Sequence, residues 1–256
     1  MATLKIMLLL CAWIAAGMAH PFHDDDNLAQ HVHSPRALKR IGLGGAFHEI
    51  NVDSGTEKHS RDTADDDQPW CILVSRILNT SSNTSSCDGA FYPNECRTAS
   101  QAAPFIYASW SKYKIDSMAT RAALVSLMLY ESGKFKYNWG HFVSGETVHT
   151  PGKGTRNMQS ATYNEEYATT LYGADKVAQA KASGGADGVL TLVSGDEDSF
   201  GSAAWFITSQ CTESVQQGVA SGTQEGFEEY ITSCIGTKMN QDRLDLWNDA
   251  KSAWGV

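Results

Sequence analysis

The sequence predicts a mainly α-helical protein, and two observations support that prediction. Apolar residues recur every three or four positions in several segments, which is the spacing that places them on one face of a helix. No segment shows the sustained alternation of apolar and polar residues that is typical of half-buried strands. The chain of 256 residues can bury one core or two small ones, and we expect one folded domain over residues 69–256.

The first 68 residues are predicted to be processing and linker segments rather than part of the fold. Residues 1–19 combine a basic residue, an apolar stretch and small residues at the end, as a secretory signal peptide does. Residues 20–40 are interpreted as a propeptide-like segment that ends in the dibasic pair Lys39-Arg40; the alternative is that the pair is ordinary surface charge. Residues 41–68 are rich in Gly, Asp and Ser, which is typical of a flexible arm.

The helical spacing predicts several helices in the folded part. The clearest of them can be capped by Asp116-Ser117 and repeats Met118, Ala122, Val125 and Leu129 along one face. In chain order, the predicted helices cover residues 98 or 104 to 113, 118 to about 132, 164 to 172, 199 to about 216, 221 to 235, and a last segment around 244 to 254.

Two cysteines near the carboxyl end lie on apolar helix faces. Cys211 belongs to the helix predicted to start at residue 199. Cys234 belongs to the next one, in which Ser221 and Gln224 fit a capping box. A secreted chain forms disulfides by default, so we expect a Cys211–Cys234 bond.

The three remaining cysteines of the folded part leave an alternative open. Cys87 and Cys96 could close a short loop by a second disulfide. Cys71 would then remain a buried thiol in the apolar run over residues 70–78. The competing arrangement pairs Cys71 with Cys87 or Cys96.

A loop rich in Ser, Thr and Asn follows that apolar run. It contains two N-glycosylation sequons, Asn79-Thr80-Ser81 and Asn83-Thr84-Ser85. A sequon is glycosylated only where the loop is accessible in a secreted protein. We therefore expect Asn79 and Asn83 to face solvent and the mature protein to be a glycoprotein.

The charge of the chain excludes some classes of partner. The formal net charge is −9, from 20 Lys and Arg against 29 Asp and Glu. No basic stripe of the kind that binds nucleic-acid phosphates is present, and the acidity disfavours binding to anionic membranes. No pair of His in the folded part has metal-ligand spacing. We therefore expect no nucleic-acid or membrane partner, no metal and no cofactor. The protein is also expected to be a monomer.

One carboxylate has the position of a catalytic acid. Glu131 lies at the end of the helix that starts at Met118, next to apolar residues of that helix. Apolar neighbours and the negative end of the helix dipole both favour the protonated carboxyl group. A carboxyl that keeps its proton can protonate a leaving glycosidic oxygen near neutral pH. The alternative is that Glu131 is an ordinary polar residue at a frayed helix end.

A motif continues from this residue along the chain. Glu131-Ser132 is followed by Phe135, by Asn138, by a Gly-rich loop and then by Met158-Gln159. This pattern resembles the lysozyme-like superfamily, in particular goose-type lysozymes and soluble lytic transglycosylases, and indicates a fungal secreted branch. In those families the catalytic Glu is followed by Ser, an aromatic residue and Asn, and later by a Gly-Leu-Met-Gln stretch that lines the sugar groove.

The chain departs from this family pattern in two places. Arg156-Asn157 occupies the place of Gly-Leu, and residues 141–150 form an apparent insertion. The resemblance implies that residues 69–256 form a lysozyme-like catalytic domain. It covers residues 118–167 well.

The resemblance also implies roles for individual residues. Glu131 would be the general acid, and aromatic side chains would supply flat faces for sugar rings. Core packing is the alternative for each aromatic residue, and a satisfied turn residue is the alternative for Gln159. The predicted substrate-binding residues are Asn138, Asn157, Gln159, Tyr163 and Tyr137, with Trp139 as a further aromatic.

A second catalytic carboxylate is not evident from the sequence. Asp196, Glu197 and Asp198 form an acidic cluster, but they precede a predicted helix, where acidic residues favour the dipole. Glu146, in the apparent insertion, is another candidate.

Two classes of function follow as hypotheses. The first is a secreted glycoside hydrolase or lytic transglycosylase that cleaves β-1,4 bonds of N-acetylated amino-sugar polymers. Its leading substrate is peptidoglycan, as for a muramidase, and the alternative is chitin or chitosan. The second is a secreted carbohydrate-binding or effector protein that has the scaffold without catalysis.

Overall fold

The computed structural model describes residues 69–141 and 149–256. Over these residues the protein is mainly α-helical, so the predicted fold class is confirmed. The predicted signal peptide, propeptide-like segment and flexible arm lie outside the described residues, as does Glu146.

Helices account for most of the described chain, and one pair of short strands interrupts them. The helices are α1 (Pro69–Thr80), α2 (Ala99–Lys112), α3 (Met118–Glu131), α4 (Ala161–Tyr172), α5 (Ala174–Val193), α6 (Asp196–Gln210), α7 (Glu213–Ala220), α8 (Gln224–Glu229) and α9 (Gln241–Trp254). The strands are β1 (Trp139–His141) and β2 (His149–Gly154). A 3-10 turn, Ser82–Thr84, follows α1, and a π-helical turn, Tyr230–Cys234, continues α8.

Helix α3 lies at the centre of the molecule. Every residue from 119 to 129 except Arg121 is buried. A helix that is apolar on nearly all sides belongs in a core, and α3 packs against α6, α7 and α9. Ser117 caps its first turn by accepting a hydrogen bond from the backbone N–H of Thr120. The predicted start of this helix is confirmed, and its last residue is Glu131.

A second buried helix, α6, supports the same core. It was predicted to continue to about residue 216, but it ends at Gln210. The backbone of Cys211 is extended, with φ −89° and ψ 144°, and this breaks the helix. Thr212 then caps the separate helix α7 through the backbone N–H of Val215. The apolar spacing continues across the break, so periodicity alone could not locate it.

The start of α8 also differs from the prediction. The predicted capping box of Ser221 and Gln224 is wrong, because Thr223 is the residue that caps the helix. Its hydroxyl accepts a hydrogen bond from the backbone N–H of Gly226 at 3.2 Å. Ser221 instead contacts the Thr223 hydroxyl at 2.9 Å.

Two helices were not predicted. Helix α1 coincides with the apolar run over residues 70–78. Helix α5 is mostly exposed and buries only Val177, Val189, Leu190 and Val193, so its sequence shows little apolar periodicity.

The strands form a two-stranded antiparallel hairpin. Strand β2 packs against α4 and α5, which fixes the hairpin to the helical core. Gly154 permits this close approach, because a Cβ atom there would lie 2.7 Å from the carbonyl oxygen of Asn138 and 2.8 Å from Leu190.

Two disulfides connect parts of the described chain. They join Cys87 to Cys96 and Cys211 to Cys234, and both pairings agree with the sequence prediction. Cys71 takes part in neither bond and is buried. The sequon residues Asn79 and Asn83 are exposed, as expected of glycosylation sites.

None of the helices within residues 69–141 and 149–256 has the combined length and apolarity required to cross a bilayer.

Candidate functional site

A groove runs along the carboxyl end of α3. Its first cavity, of about 370 Å³, lies between the end of α3 and the hairpin. Its second, of about 330 Å³, lies between residues 157–160 and the turn after the π-helical segment. Glu131, Lys153 and Met158 line both cavities, so the two cavities adjoin with Glu131 between them.

Strained backbone is concentrated beside this groove. Among the described residues, five non-glycine residues have a positive φ, and four of them are Lys134, Phe135, Thr155 and Met158. These four lie in the two turns that border the groove. Left-handed conformations of non-glycine residues cost energy and concentrate at ligand-binding and catalytic sites.

Gly133 begins the first of these turns. Its φ is +58°, and a Cβ atom there would lie 2.9 Å from the ring of Tyr137. Glycine therefore allows both the turn and the close packing of Tyr137 against it.

The Glu131 carboxylate is paired with a buried arginine. The Nη2 atom of Arg243 donates a hydrogen bond to Glu131 Oε1 at 2.5 Å, and the two side chains are 7% and 16% exposed. The Arg243 guanidinium also lies 3.9 Å from the ring centre of Tyr130. The sequence suggested that Glu131 has apolar neighbours that favour its protonated form. The structure adds a neighbour that the sequence did not indicate, because the Arg243 guanidinium is in direct contact with the carboxylate.

The charge on Glu131 influences a neighbouring phenol. Burial raises the pKa of Tyr230, and the negative charge of Glu131 raises it further. The Tyr230 hydroxyl therefore stays protonated at all physiological pH values.

Two of the predicted sugar-binding amides line the second cavity. The Nδ2 atom of Asn157 donates to Gln159 Oε1 at 3.1 Å, and Gln159 Nε2 donates to Asn164 Oδ1 at 2.8 Å. The hydroxyls of Thr155 and Ser202 both donate to Asn157 Oδ1. Asn157 and Gln159 are nearly buried, at 6% and 5% exposure, so these contacts chiefly order the cavity wall.

The third predicted amide lies elsewhere. Asn138 is buried, donates to the carbonyl oxygen of Ser194 at 2.7 Å, and accepts a hydrogen bond from the Ser199 hydroxyl. It lines neither cavity. Its side chain therefore connects β1 to the loop before α6 and to the start of that helix.

The predicted aromatic residues are divided between the two cavities. Tyr137 and Trp139 line the first, and Tyr163 lines the second. Tyr163 packs edge-on against Phe206, with ring centres 4.8 Å apart. All three predicted aromatics are half-buried, so part of each ring can contact a ligand.

Glu95 positions the aromatic strand, and the sequence analysis did not identify it. Its carboxylate accepts hydrogen bonds from the backbone N–H groups of Asn138 and Trp139 at 2.7 and 3.0 Å. It also contacts His141 Nε2 at 2.6 Å. The Tyr92 ring stacks on His141 at a centroid distance of 3.6 Å. The only sign of this in the sequence was the possible Cys87–Cys96 disulfide, which indicated that the loop containing Glu95 has a defined position.

Arg156 acts as a buried crosslink in the wall of the groove. Its Nη1 atom donates to the carbonyl oxygens of Phe135 and Tyr137, both at 3.0 Å, and Nη2 donates to that of Glu95 at 2.7 Å. Its guanidinium carbon lies 4.6 Å from the Phe200 ring centre. Burial lowers the pKa of Arg156 to about 10, so the residue remains charged at neutral pH. Arg156, which departs from the lysozyme-like sequence motif, therefore connects its own segment to that of Phe135 and Tyr137 and to that of Glu95.

A second carboxylate–histidine pair fixes the other strand. Asp187 accepts a hydrogen bond from the Gly152 backbone N–H at 2.7 Å and contacts His149 Nε2 at 2.9 Å. Burial alone would raise the pKa of Asp187, but these hydrogen bonds outweigh it and the pKa is lowered.

The acidic cluster lies at the start of α6. Asp196 pairs with Arg97 at 2.7 Å, and Asp198 accepts a hydrogen bond from the Tyr172 hydroxyl. The cluster lines neither cavity of the groove. In the part of the chain that the structure describes, no three His, Cys, Asp or Glu side chains are grouped as a metal site requires.

Comparisons with known proteins give one informative relationship. No family model matches the chain, and no solved structure matches it significantly. The chain is 39% identical over 162 residues to a protein of Fusarium oxysporum (strain Fo5176) named bifunctional dioxygenase (DOX)-epoxy alcohol synthase (EAS). The match covers 61% of this chain and 12% of that protein. The chain therefore spans about one eighth of the length of this relative.

This relationship overturns the predicted activity. The glycoside hydrolase or lytic transglycosylase function, with its muramidase and chitinase variants, is wrong on this finding, because the relative is named as an oxygenase and synthase. The enzyme class assigned from the sequence is corrected on the same ground. The prediction depended on a short motif around Glu131, whereas the match extends over 162 residues.

Proposed function

We propose that the chain is a secreted binding module that holds a saccharide in the groove without cleaving it, on a lysozyme-like scaffold. One observation supports this most strongly: the first cavity combines three aromatic side chains with separate polar groups. Tyr130, Tyr137 and Trp139 form its apolar faces. Aromatic rings of this kind can lie against the C–H face of a pyranose ring while polar groups bind its hydroxyls.

Polar side chains are placed around these aromatic faces. Glu131, His141 and Lys153 line the same cavity. The carboxylate can accept hydrogen bonds from sugar hydroxyls, and the ammonium group can donate them. The groove therefore offers both the hydrogen-bond donors and the hydrogen-bond acceptors that a hydroxyl-rich ligand requires.

Binding without cleavage is consistent with the contacts of Glu131. Its carboxylate is already engaged with Arg243 at 2.5 Å. The Arg243 guanidinium thus occupies Oε1 of Glu131 and holds the side chain toward α9. The same pair, together with the strained turns, makes the groove rigid before a ligand arrives, which lowers the entropic cost of binding.

Export is supported by covalent features. Two disulfides are present, and both sequon asparagines are exposed. Disulfides persist in oxidising compartments and are rare in the cytosol. The signal-like sequence of residues 1–19 agrees with this destination.

The named relative suggests a second ligand class. Its name includes an epoxy alcohol, which is a molecule with both apolar and hydroxyl groups. The aromatic walls and polar groups of the first cavity could hold such a molecule as well. This chain would then be a ligand-holding segment of a larger enzyme system.

Calorimetric titration tests the proposal. The ligands are chitin oligosaccharides, soluble peptidoglycan fragments and an epoxy alcohol, each titrated into the full chain. We expect saccharide binding that Trp139→Ala weakens at least about 5-fold, because the loss of one aromatic face removes on the order of 1 kcal/mol. Tyr172→Ala is the matched control, since Tyr172 is 36% exposed and lies outside both cavities.

Two results would reject saccharide binding. One is the absence of heat with every saccharide; the other is equal weakening by the Trp139 and Tyr172 variants. Binding of the epoxy alcohol alone would select the second ligand class. Mass spectrometry of the recovered oligosaccharides should show them intact.

A further inference from the structure

We propose that the second cavity of the groove binds an anionic group of the ligand, so that the groove prefers a saccharide that carries carboxylates over a neutral one. The inference rests on the proposed function and specifies the chemical class of its saccharide. Three features that attract negative charge meet at this cavity: Lys153, Arg243 and the start of α4.

Arg243 contributes a buried donor without a partner. Its side chain lines the second cavity and is 7% exposed, and its Nη2 atom is bound to Glu131. Its Nη1 atom is buried and has no hydrogen-bond partner within residues 69–141 and 149–256. An unpaired N–H group of a buried charged side chain is costly, so its presence in a cavity wall favours a ligand that brings an acceptor. Anionic oxygen atoms are the acceptors that a guanidinium group binds most strongly.

Lys153 contributes a second positive charge. It lines both cavities and forms no ion pair with another described side chain. Its aliphatic stem packs on Gly140, where a Cβ atom would lie 3.0 Å from Lys153 Cγ, and this contact limits the positions of the ammonium group. The charged side chains that line the second cavity in the described chain are Glu131, Lys153 and Arg243. Two cations against one carboxylate leave a positive excess, although the whole chain has a net charge of −9.

Helix α4 begins at the same cavity. Ser160, which precedes its first residue, and Tyr163 in its first turn both line the cavity. The Ser160 side chain makes no capping hydrogen bond, so it leaves the backbone N–H groups of the first turn available. Such N–H groups and the positive end of the helix dipole favour an anion. The helix start therefore acts in the same direction as the charges of Lys153 and Arg243.

The first cavity indicates what kind of molecule carries the anionic group. Its aromatic faces suit a pyranose ring, and Lys153 is shared between the two cavities. A ligand that extends through both would place one sugar ring against the aromatic faces and a carboxylate of another ring in the second cavity. A uronic acid oligomer has this composition, because each of its pyranose rings carries a carboxylate in place of the hydroxymethyl group.

The test compares two saccharides that differ in charge. The β-1,4-linked tetrasaccharides of glucuronic acid and of glucose are titrated into the full chain in a calorimeter. We expect the glucuronic acid tetrasaccharide to bind about 5- to 20-fold more tightly at low salt, and this preference to decrease at high salt. Lys153→Met should reduce the preference at least about 3-fold, and Lys153→Arg should retain most of it. Lys176→Met is the control, because Lys176 is exposed and lines neither cavity.

The place of the anion is measured by ¹H–¹⁵N NMR with sulfate as the probe. We expect saturable shifts of the backbone amides of Ala161 and Thr162, and weaker sulfate binding by Lys153→Met. Sulfate that leaves both amides unmoved would overturn the inference.

The outcomes separate this inference from the proposed function. Equal affinities for the two tetrasaccharides would overturn the inference while saccharide binding stands. A preference that Lys153→Met and Lys176→Met reduce equally would also overturn it, because the effect would then not come from the groove. If the wild type binds no saccharide, the proposed function fails and the inference about its ligand fails with it.

Discussion

At the scale of single residues, the pairing of Glu131 with Arg243 determines what the groove can do. The two side chains are mostly buried, at 16% and 7% exposure, and the guanidinium also lies over Tyr130. Removing either partner leaves a mostly buried charge without its counterpart, which is costly. The pair therefore stabilises the wall of the groove, in addition to placing a carboxylate where a ligand can contact it.

A double-mutant cycle tests this pairing. Glu131→Gln and Arg243→Gln should each lower the free energy of unfolding by about 1–3 kcal/mol. The double variant should lose less than the sum, with a coupling of about 0.5–3 kcal/mol, because neither charge is then left alone. Urea denaturation measures all four proteins. Strict additivity would show that the two side chains do not interact in solution.

The same pair shows what the sequence could and could not predict at the site. The place of Glu131 at the end of a buried helix could be read from apolar spacing and the Ser117 cap. Its partner could not, because Arg243 is 112 positions away and lies in a helix with no evident relation to it. Glu95 was missed for a similar reason: its contacts are with the backbone of β1, 43 and 44 positions further along the chain.

At the scale of elements, the hairpin presents the aromatic faces, and one carboxylate–histidine pair supports each of its strands. Glu95 holds β1 and Asp187 holds β2. The Gly152 and His149 contacts lower the pKa of Asp187. A carboxyl whose pKa is lower in the folded protein than in the unfolded chain stabilises the fold when it is ionised.

This pKa shift gives the hairpin a pH dependence with a definite sign. The contribution of Asp187 is complete above the ordinary Asp value of 3.8 and is lost as pH falls through the lowered folded pKa. We expect Asp187→Asn to reduce stability at neutral pH and to flatten the decline in stability below about pH 4. Thermal unfolding from pH 2 to 7 measures this, with the exposed Asp249→Asn as the control. Parallel curves for the wild type and Asp187→Asn would contradict it.

A disulfide fixes the element that closes the second cavity. Cys211–Cys234 joins the end of α6 to the π-helical turn that leads into Ile235 and Gly236, which line that cavity. Cys211→Ser should lower the free energy of unfolding by about 2–4 kcal/mol. Urea denaturation gives the value, and peptide mapping identifies the bond in the wild type. An unchanged unfolding free energy would mean that the bond does not constrain the chain.

At the scale of the whole molecule, most of the helices that build the core were predictable, whereas helices α1 and α5 and the hairpin were not. Helix α3 is capped and apolar, and both properties are local. Helix α5 buries only four residues and contains three glycines, so local patterns did not indicate it. The hairpin strands are short and show no sustained alternation of apolar and polar residues, so the sequence did not indicate them. Their position depends on contacts with α4, α5 and two carboxylates that are distant in the sequence.

A short motif is a weaker basis for predicting function than a similarity that extends over much of the chain. The motif around Glu131 predicted catalysis, but the 162-residue match is to a protein with another named activity, of which it covers 12%. What this chain shares with that relative is therefore a segment. A binding role agrees with the groove geometry and does not require the activity of the whole relative.

The most direct test of that role observes one indole group. The indole N–H resonance of Trp139 is followed by ¹H–¹⁵N NMR while a chitin hexasaccharide is added to the full chain, with the indoles of buried Trp247 and Trp254 as internal references. We predict a saturable shift of the Trp139 resonance, with both references unmoved and the sugar still intact after prolonged incubation. A Trp139 resonance that does not respond, or one that shifts together with both references, would contradict saccharide binding in this groove.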